Sequence, residues 1–350
     1  MNNLELLKKE DLENLNYSGE IVSKITIVPD KKLSGDKGLV NRLAKAKKSG
    51  KKFVILGAPE GIGPYANKGR NGAYGAWPAF LSIFSDFLEQ NIADRLLILG
   101  KVKLDDLQRK SKYYDNYRQK DRRELRKMVA IIDARLSPIL RSIMEAGLIP
   151  ILIGGGHNNA FPLIKEAAQL TEEKKISCLN LDLHADLRST DGRHSGNSFS
   201  YAFEKGLLNK YYIFGLHENY HSNSYYKKVQ DLRSKGKIDY STYTNITSQL
   251  QTSFEIELNK AENWFQEYGQ NMGLEVDLDS VEGVPASAIT EVRVPFSFTR
   301  KFVQRTAKEF APMYFNLSEG APDLGKRNSK KVVGRSISRL ILDFINNYQK

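Results

Sequence analysis

RELRKMVAIIDARLSPILRSIMEAGLIPILIGGGHNN (123–159) is the stretch that sets the architecture of this chain. Over 123–147 its apolar residues recur at three- and four-residue spacing, the pattern of a helix that turns one face to a core. LIPILIGGG (148–156) follows at once, a short apolar run closed by glycines that reads as a buried strand. Further runs of the same kind are KFVILG (52–57), RLLILG (95–100), ISCLNLDL (176–183), YYIFGL (211–216), MGLEVDL (272–278) and MYFNL (313–317). Strand, helix and strand repeated in this way predict an α/β fold, a three-layer α-β-α arrangement with a mostly parallel central sheet covered on both faces. No internal repeat or low-complexity linker divides the chain, so 51–350 is expected to form one domain, with 1–50 as an N-terminal extension packed on it.

With 350 residues and 41% hydrophobic content, the chain can bury a sizeable core. It has no apolar run of the roughly 18 residues that a membrane span needs. The opening MNNLELLKKEDLENLN (1–16) alternates charge with single leucines, unlike a signal peptide. A cytoplasmic protein with no membrane partner is expected. The only cysteine, Cys178, lies inside an apolar-alternating run and has no partner for an intrachain disulfide, which suits a buried small residue in a reducing compartment. The formal charge of +12 raises nucleic acid as a partner class. Its main sources, AKAKKSGKK (44–52), QRKSKYYDNYRQKDRRELRK (108–127) and KRNSKK (326–331), read as solvated helix faces and turns. No nucleic-acid module accompanies them, and nucleic acid is not the expected partner.

In an open α/β sheet, ligands bind beyond the carboxyl ends of the strands. The residues that follow the apolar runs are rich in metal-binding types: His157 after LIPILIGGG, then Asp182, His184 and Asp186, then Asp277 and Asp279, then Glu319. Three of the five histidines, His157, His184 and His194, fall in one short segment beside the aspartates. In an extended segment alternate residues share a side, so the D-x-H-x-D spacing lets Asp182, His184 and Asp186 converge, and Asp277 with Asp279 follows the same period. Two histidines and four aspartates exceed the needs of one tetrahedral zinc and suit two ions bridged by shared carboxylates. Ligation rich in oxygen and free of cysteine favours a harder ion such as Mn²⁺ over structural zinc. Read one at a time, an aspartate after a strand is more often an N-cap or turn residue than a ligand, and a paired-metal site also serves phosphatases and nucleases.

GGGHNN (154–159), LDLHADLR (181–188), HSGN (194–197) and VDLDS (276–280), in this order, resemble the ureohydrolases, a family that includes arginase, agmatinase and formimidoylglutamase. The resemblance implies an arginase-like fold and two divalent ions, expected to be Mn²⁺. One would be held by His157, Asp182, Asp186 and Asp277, and the other by Asp182, His184, Asp277 and Asp279, with Asp182 and Asp277 bridging. It implies that Asp186 also orients a hydroxide nucleophile, that His194 shuttles a proton to the departing amine, that Glu319 pairs with the cationic substrate nitrogen, and that Asn197 helps bind substrate. It further implies a homo-oligomer, a trimer or a multiple of one.

Departures from the arginase pattern bear on substrate. Gly156 stands where an aspartate is common, removing a carboxylate near the ligand His157. Arg188 stands where arginases carry an asparagine; a guanidinium there favours a substrate with a carboxylate tail, unless it merely pairs with Asp191. GAPEGIGPYANKGRNGAYGAWPAFL (57–81) is similar to the opening loop of formimidoylglutamases, with Gly61 in place of an aspartate. The expected reaction is hydrolysis of N-formimidoyl-L-glutamate to L-glutamate and formamide. The alternatives are a guanidino-compound hydrolase that releases urea and, from another class, a non-catalytic binding protein with the same fold. His217 and His221 are expected in a solvent-exposed loop away from the site.

Overall fold

In a computed structural model, which describes residues 3–15, 17–25, 36–218, 223–249, 251–266 and 271–349, the chain builds one nine-stranded sheet. Its strands are β1 (Leu4–Leu6), β2 (Phe53–Gly57), β3 (Leu96–Val102), β4 (Ile149–Ile153), β5 (Ile176–Leu181), β6 (Leu208–Leu216), β7 (Ile238–Thr242), β8 (Met272–Asp277) and β9 (Tyr314–Ser318). Their order is β1-β3-β2-β4-β9-β8-β5-β6-β7. Only β1 runs antiparallel, against β3.

Every apolar run singled out in the sequence is a strand. Strand parity sends Phe53 and Ile55 to one face and Val54 and Leu56 to the other, and each face packs against its own buried cluster. Helices Ala76–Phe84, Phe296–Phe310 and Ser329–Asn347 cover the first face, and Gln119–Glu145 and Ala160–Gln169 the second. Gln119–Glu145 buries Leu125, Met128, Val129, Ile132, Leu136, Ile139, Leu140 and Ile143, the helical stripe that the spacing predicts. It ends at Gly147 (φ 71°), whose left-handed backbone lets Leu148 N donate to the Ile143 carbonyl and turns the chain into β4.

The sequence reading missed β1 and β7, the two edges of the sheet. Both are half-exposed and carry polar residues among their apolar ones (LEL and IDYST), so neither shows an apolar run. The first residues add β1 to the β3 edge and bury Leu12, Val22 and Ile25. Cys178 is fully buried in β5. No helix among the described residues is long and apolar enough to cross a membrane.

Strand order positions the site. From β4 the chain crosses to β5, builds outward to β7, and returns with β8 and β9 to fill the gap between β5 and β4. The strands that lead to His157, Glu319, Asp277 and Asp182 are therefore four adjacent central strands, β4-β9-β8-β5, with their carboxyl ends together.

Candidate functional site

Each ligand-type residue is delivered by a turn that the local sequence dictates. After β4, Gly155 lies at φ 77°, and a Cβ on Gly156 would stand 2.3 Å from Pro64 Cδ and 2.4 Å from Asn158 Oδ1. That contact explains why glycine occupies the position where the resemblance suggests an aspartate. The turn is held by Glu60, a fully buried residue of the loop that resembles formimidoylglutamases, to which the sequence reading assigned no role of its own. Its carboxylate accepts from the backbone N–H groups of Ile62 (2.7 Å), Gly63 (2.9 Å) and Gly156 (2.7 Å). The N–H of Gly61, the other departure in this loop, donates to Gln108 Oε1 at 2.9 Å.

The convergence of the aspartates has a different cause from the alternation read in the sequence. β5 ends at Leu181, and Asp182 Oδ1 accepts the His184 N–H at 2.8 Å, which folds the chain into a turn. Asp186 then takes a left-handed backbone (φ 49°), which brings its carboxylate back. Beyond β8 the device recurs, with Asp277 Oδ1 accepting the Asp279 N–H at 2.8 Å. Ser280 Oγ ties the two turns together, accepting from Leu183 N at 2.8 Å and donating to Asp182 Oδ1 at 3.2 Å.

Two groups of donors result, one of His157, Asp182, Asp186 and Asp277 and one of Asp182, His184 and Asp279, each with its candidate ligand atoms within 4.8 Å of one another. His157 Nδ1 lies 3.2 Å from Asp182 Oδ2, 3.0 Å from Asp186 Oδ2 and 3.2 Å from Asp277 Oδ2. His184 Nδ1 lies 3.4 Å from Asp182 Oδ1 and 3.7 Å from Asp279 Oδ2. Asp182 thus gives one oxygen to each group. Asp277 falls in the His157 group and not in the His184 group.

The electrostatics of this cluster fit a cation. Burial pushes the His157 imidazolium toward losing its proton, but Asp182, Asp186, Asp277 and Glu275 outweigh it and hold the pKa well above the usual value. Burial and the same balance against Asp279 and Asp182 leave His184 raised too. Burial, then the charge of Asp279 and Asp182, drives Asp277 well above the usual carboxylate range, and burial raises Asp186 as well. Besides Asp182, Asp186, Asp277 and Glu275, neither nitrogen of the fully buried His157 has a partner among the described residues. An imidazole nitrogen aimed at three carboxylate oxygens, in a site crowded with buried carboxyl groups, is the donor set of a metal centre once its proton gives way to the ion.

A cavity of about 1210 Å³ opens over the cluster. His184, Asp186, Asp277, Asp279 and Glu319 line it, together with Arg188, Lys68, Lys228, Tyr117 and Ile289. Glu319 (φ 63°) accepts the His157 N–H at 2.8 Å and the Ser287 hydroxyl; burial, then the charge of Asp279, pushes its pKa up to about 8. Arg188 is exposed in the cavity. Asp191, its expected competitor, pairs with Arg126 at 2.7 Å instead.

Two predicted site residues do not reach the cavity. Asn197 is fully buried and its amide is spent: Oδ1 accepts from Arg193 Nη1 (2.8 Å) and His194 N (3.1 Å), and Nδ2 donates to the carbonyls of Ser189 (2.9 Å) and Gly192 (2.8 Å). It organises the 189–197 loop and has no group left for substrate. His194 is also buried and absent from the cavity wall. Burial, then the charges of Arg126, Arg188 and Arg193, push its pKa down to about 3. An imidazole so placed is neutral near pH 7 and lies behind the residues that line the cavity. His217 is half-buried, stacked against Tyr243, and His221 lies outside the described residues.

Comparison with known proteins agrees with this architecture. The model of the arginase family matches residues 51–313. A formimidoylglutamase of Streptococcus pyogenes serotype M3 is 25% identical over 283 residues, 78% of either chain. Among solved structures, the formiminoglutamase of Trypanosoma cruzi with Mn²⁺ superposes with a TM-score of 0.64 at 19% identity, covering 87% of this chain and 97% of the other. The formimidoylglutamase of Bacillus subtilis gives 0.64 at 15% identity, covering 86% and 89%. With a family match over most of its length, and two aspartate turns and a glycine-flanked histidine meeting on the four central strands, the chain belongs to the arginase family.

Proposed function

We propose that this protein hydrolyses the C–N bond of N-formimidoyl-L-glutamate, giving L-glutamate and formamide, with two Mn²⁺ ions in the aspartate–histidine cluster. The observation that carries the substrate reading is the polarity of the cavity. Asp186, Asp277, Asp279 and Glu319 line it together with Arg188, Lys68 and Lys228. An amidinium group suits the carboxylates and a carboxylate tail suits the cations, so a substrate with both charges is favoured over one that is only cationic.

His157, Asp182, Asp186 and Asp277 would hold one ion, and Asp182, His184 and Asp279 the other. A pair of divalent ions, when bound, supplies Lewis acidity and a water that ionises near neutral pH. The chain's own residues do the rest. Asp186, reaching from its left-handed turn, orients the nucleophile. Glu319, held by His157 N and Ser287, accepts a hydrogen bond from the cationic end of the substrate. Arg188 binds the glutamate carboxylate, which holds the reacting carbon in register.

The relatives' names point the same way, since the S. pyogenes and B. subtilis proteins are formimidoylglutamases. We also propose a catalytic domain over 51–350, a cytoplasmic location and a trimer or multiple of one, the last of which sedimentation would test. The decisive assay reconstitutes metal-free protein with Mn²⁺ and offers formimidoylglutamate and arginine in parallel, measuring formamide and urea separately. Formamide without urea is expected. Urea alone would replace the substrate with a guanidino compound, and turnover of neither would favour the non-catalytic reading.

A further inference from the structure

Glu275 is a buried carboxylate that the mechanism above leaves unused. It stands in the middle of the apolar run MGLEVDL, two residues before Asp277 and on the same face of β8. Parallel register sets it between Asn180 of β5 and Asn316 of β9, so that a row of polar residues crosses the three strands beneath the aspartate cluster. A fully buried glutamate in a central strand is costly unless its oxygens are satisfied.

The neighbours are arranged to satisfy it. Tyr314 Oη donates to Oε1 at 2.7 Å, and Asn316 Nδ2 donates to Oε2 at 2.7 Å. Gly273 makes room for this, because a Cβ there would stand 2.2 Å from Tyr314 Cζ. Oε2 keeps a free lone pair, and it faces His157 Nε2 at 3.4 Å. That nitrogen has no other partner among the described residues, while Nδ1 on the far side of the ring faces Asp182, Asp186 and Asp277. Phe199 holds the ring edge-on at 5.5 Å, backed by Tyr211 stacked at 4.0 Å, so the imidazole has little freedom to turn away.

We propose that Glu275 is a positioning residue that accepts the Nε2–H of His157 and so fixes the tautomer in which Nδ1 is the ligand atom. A carboxylate on the far nitrogen of a ligating histidine sets ring orientation and raises ligand basicity. Tyr314 and Asn316 in turn hold Glu275 in place. The proposal rests on the metal centre inferred above.

The test is a Mn²⁺ titration of metal-stripped protein by calorimetry, with the His157 step identified as the one that His157→Ala abolishes. Glu275→Gln keeps the shape and the bond from Tyr314 and loses the charged acceptor. It is expected to weaken the His157 step by about 10–100-fold and leave the step that involves His184 unchanged. In the Zn²⁺-loaded protein, a slowly exchanging imidazole N–H resonance from His157 is expected in the wild type and lost in the variant. A purely structural glutamate would move both binding steps together or neither. If wild type binds both ions and Glu275→Gln binds them equally well, the positioning role is overturned and the metal centre stands. If wild type binds no ion, the metal centre fails and the positioning role with it. Should Glu275→Gln not fold, Tyr314→Phe carries the same test with a smaller weakening of the same step, and unchanged affinity there overturns the proposal.

Discussion

Arg188 is exposed in the cavity and makes no ion pair among the described residues, while its would-be partner Asp191 is held by Arg126. If it anchors the substrate tail, Arg188→Asn raises KM for formimidoylglutamate by about 10–100-fold, the loss of one charge-assisted hydrogen bond, and changes kcat less. Steady-state kinetics at saturating Mn²⁺ checks this, and an unchanged KM would remove Arg188 from the substrate site. His194, a few residues on, makes the opposite case. Its folded pKa is depressed from 6.5 to about 3, so it contributes stability that is fully present above pH 6.5 and is lost as pH falls toward 3. His194→Gln is expected to flatten that part of the stability profile, by roughly 4 kcal/mol at most. Urea melts between those pH values measure it. An NMR titration of His194 with a midpoint near neutrality would sink this reading and restore the proton-shuttle role.

At the scale of elements, the site depends on loops pinned to helices by buried polar groups. Arg193 joins the 189–197 loop to the helix Gln119–Glu145: its Nε donates to Asp133 at 2.7 Å, Nη1 to Asn197 and Nη2 to the Asn158 carbonyl at 2.7 Å. Its guanidinium also lies over the rings of Phe161 and Tyr201, at 4.8 and 5.0 Å. Arg193→Met leaves Asp133 without its countercharge and the Asn158 carbonyl without its donor, and breaking such a pair costs about 3–5 kcal/mol. Denaturant melts should show that loss together with poorer metal retention, because Asn158 follows His157 in the chain. A melt within 1 kcal/mol of wild type, a bound of about the worth of an exposed ion pair, would mean that the loop is held by other contacts.

Over the whole molecule, the formal charge of +12 conceals a cluster of buried carboxylates at the centre of the sheet. Bound cations would neutralise that repulsion; without them it is relieved only in part, by protons held on His157, His184 and Asp277. Chelator treatment is therefore expected to lower the thermal midpoint, and Mn²⁺ at a hundred times its Kd to restore about 2.7 kcal/mol per site. Differential scanning calorimetry with and without chelator decides the matter, and a midpoint indifferent to metal would argue against a metal centre.

By itself the sequence determined the layers and the parallel sheet, because an apolar run bounded by helical periodicity has few ways to bury itself. It also pointed to the donor residues, whose types cluster behind strands that must end on one edge. It did not show the edge strands, which are short and half-polar and leave no periodic trace. Nor did it show why the aspartates converge: spacing suggested an extended chain, whereas each first aspartate caps a turn through its own side chain. Glu275 left a signal, a lone carboxylate in an apolar strand, but its meaning depends on which strands flank β8. Only the tertiary structure decided that Asn197 and His194 lie behind the cavity wall, that Arg126 takes Asp191 from Arg188, and that Glu60 braces the histidine turn. Each of these is a contact between segments far apart in the chain or a competition for one partner, and local propensity carries no information about either.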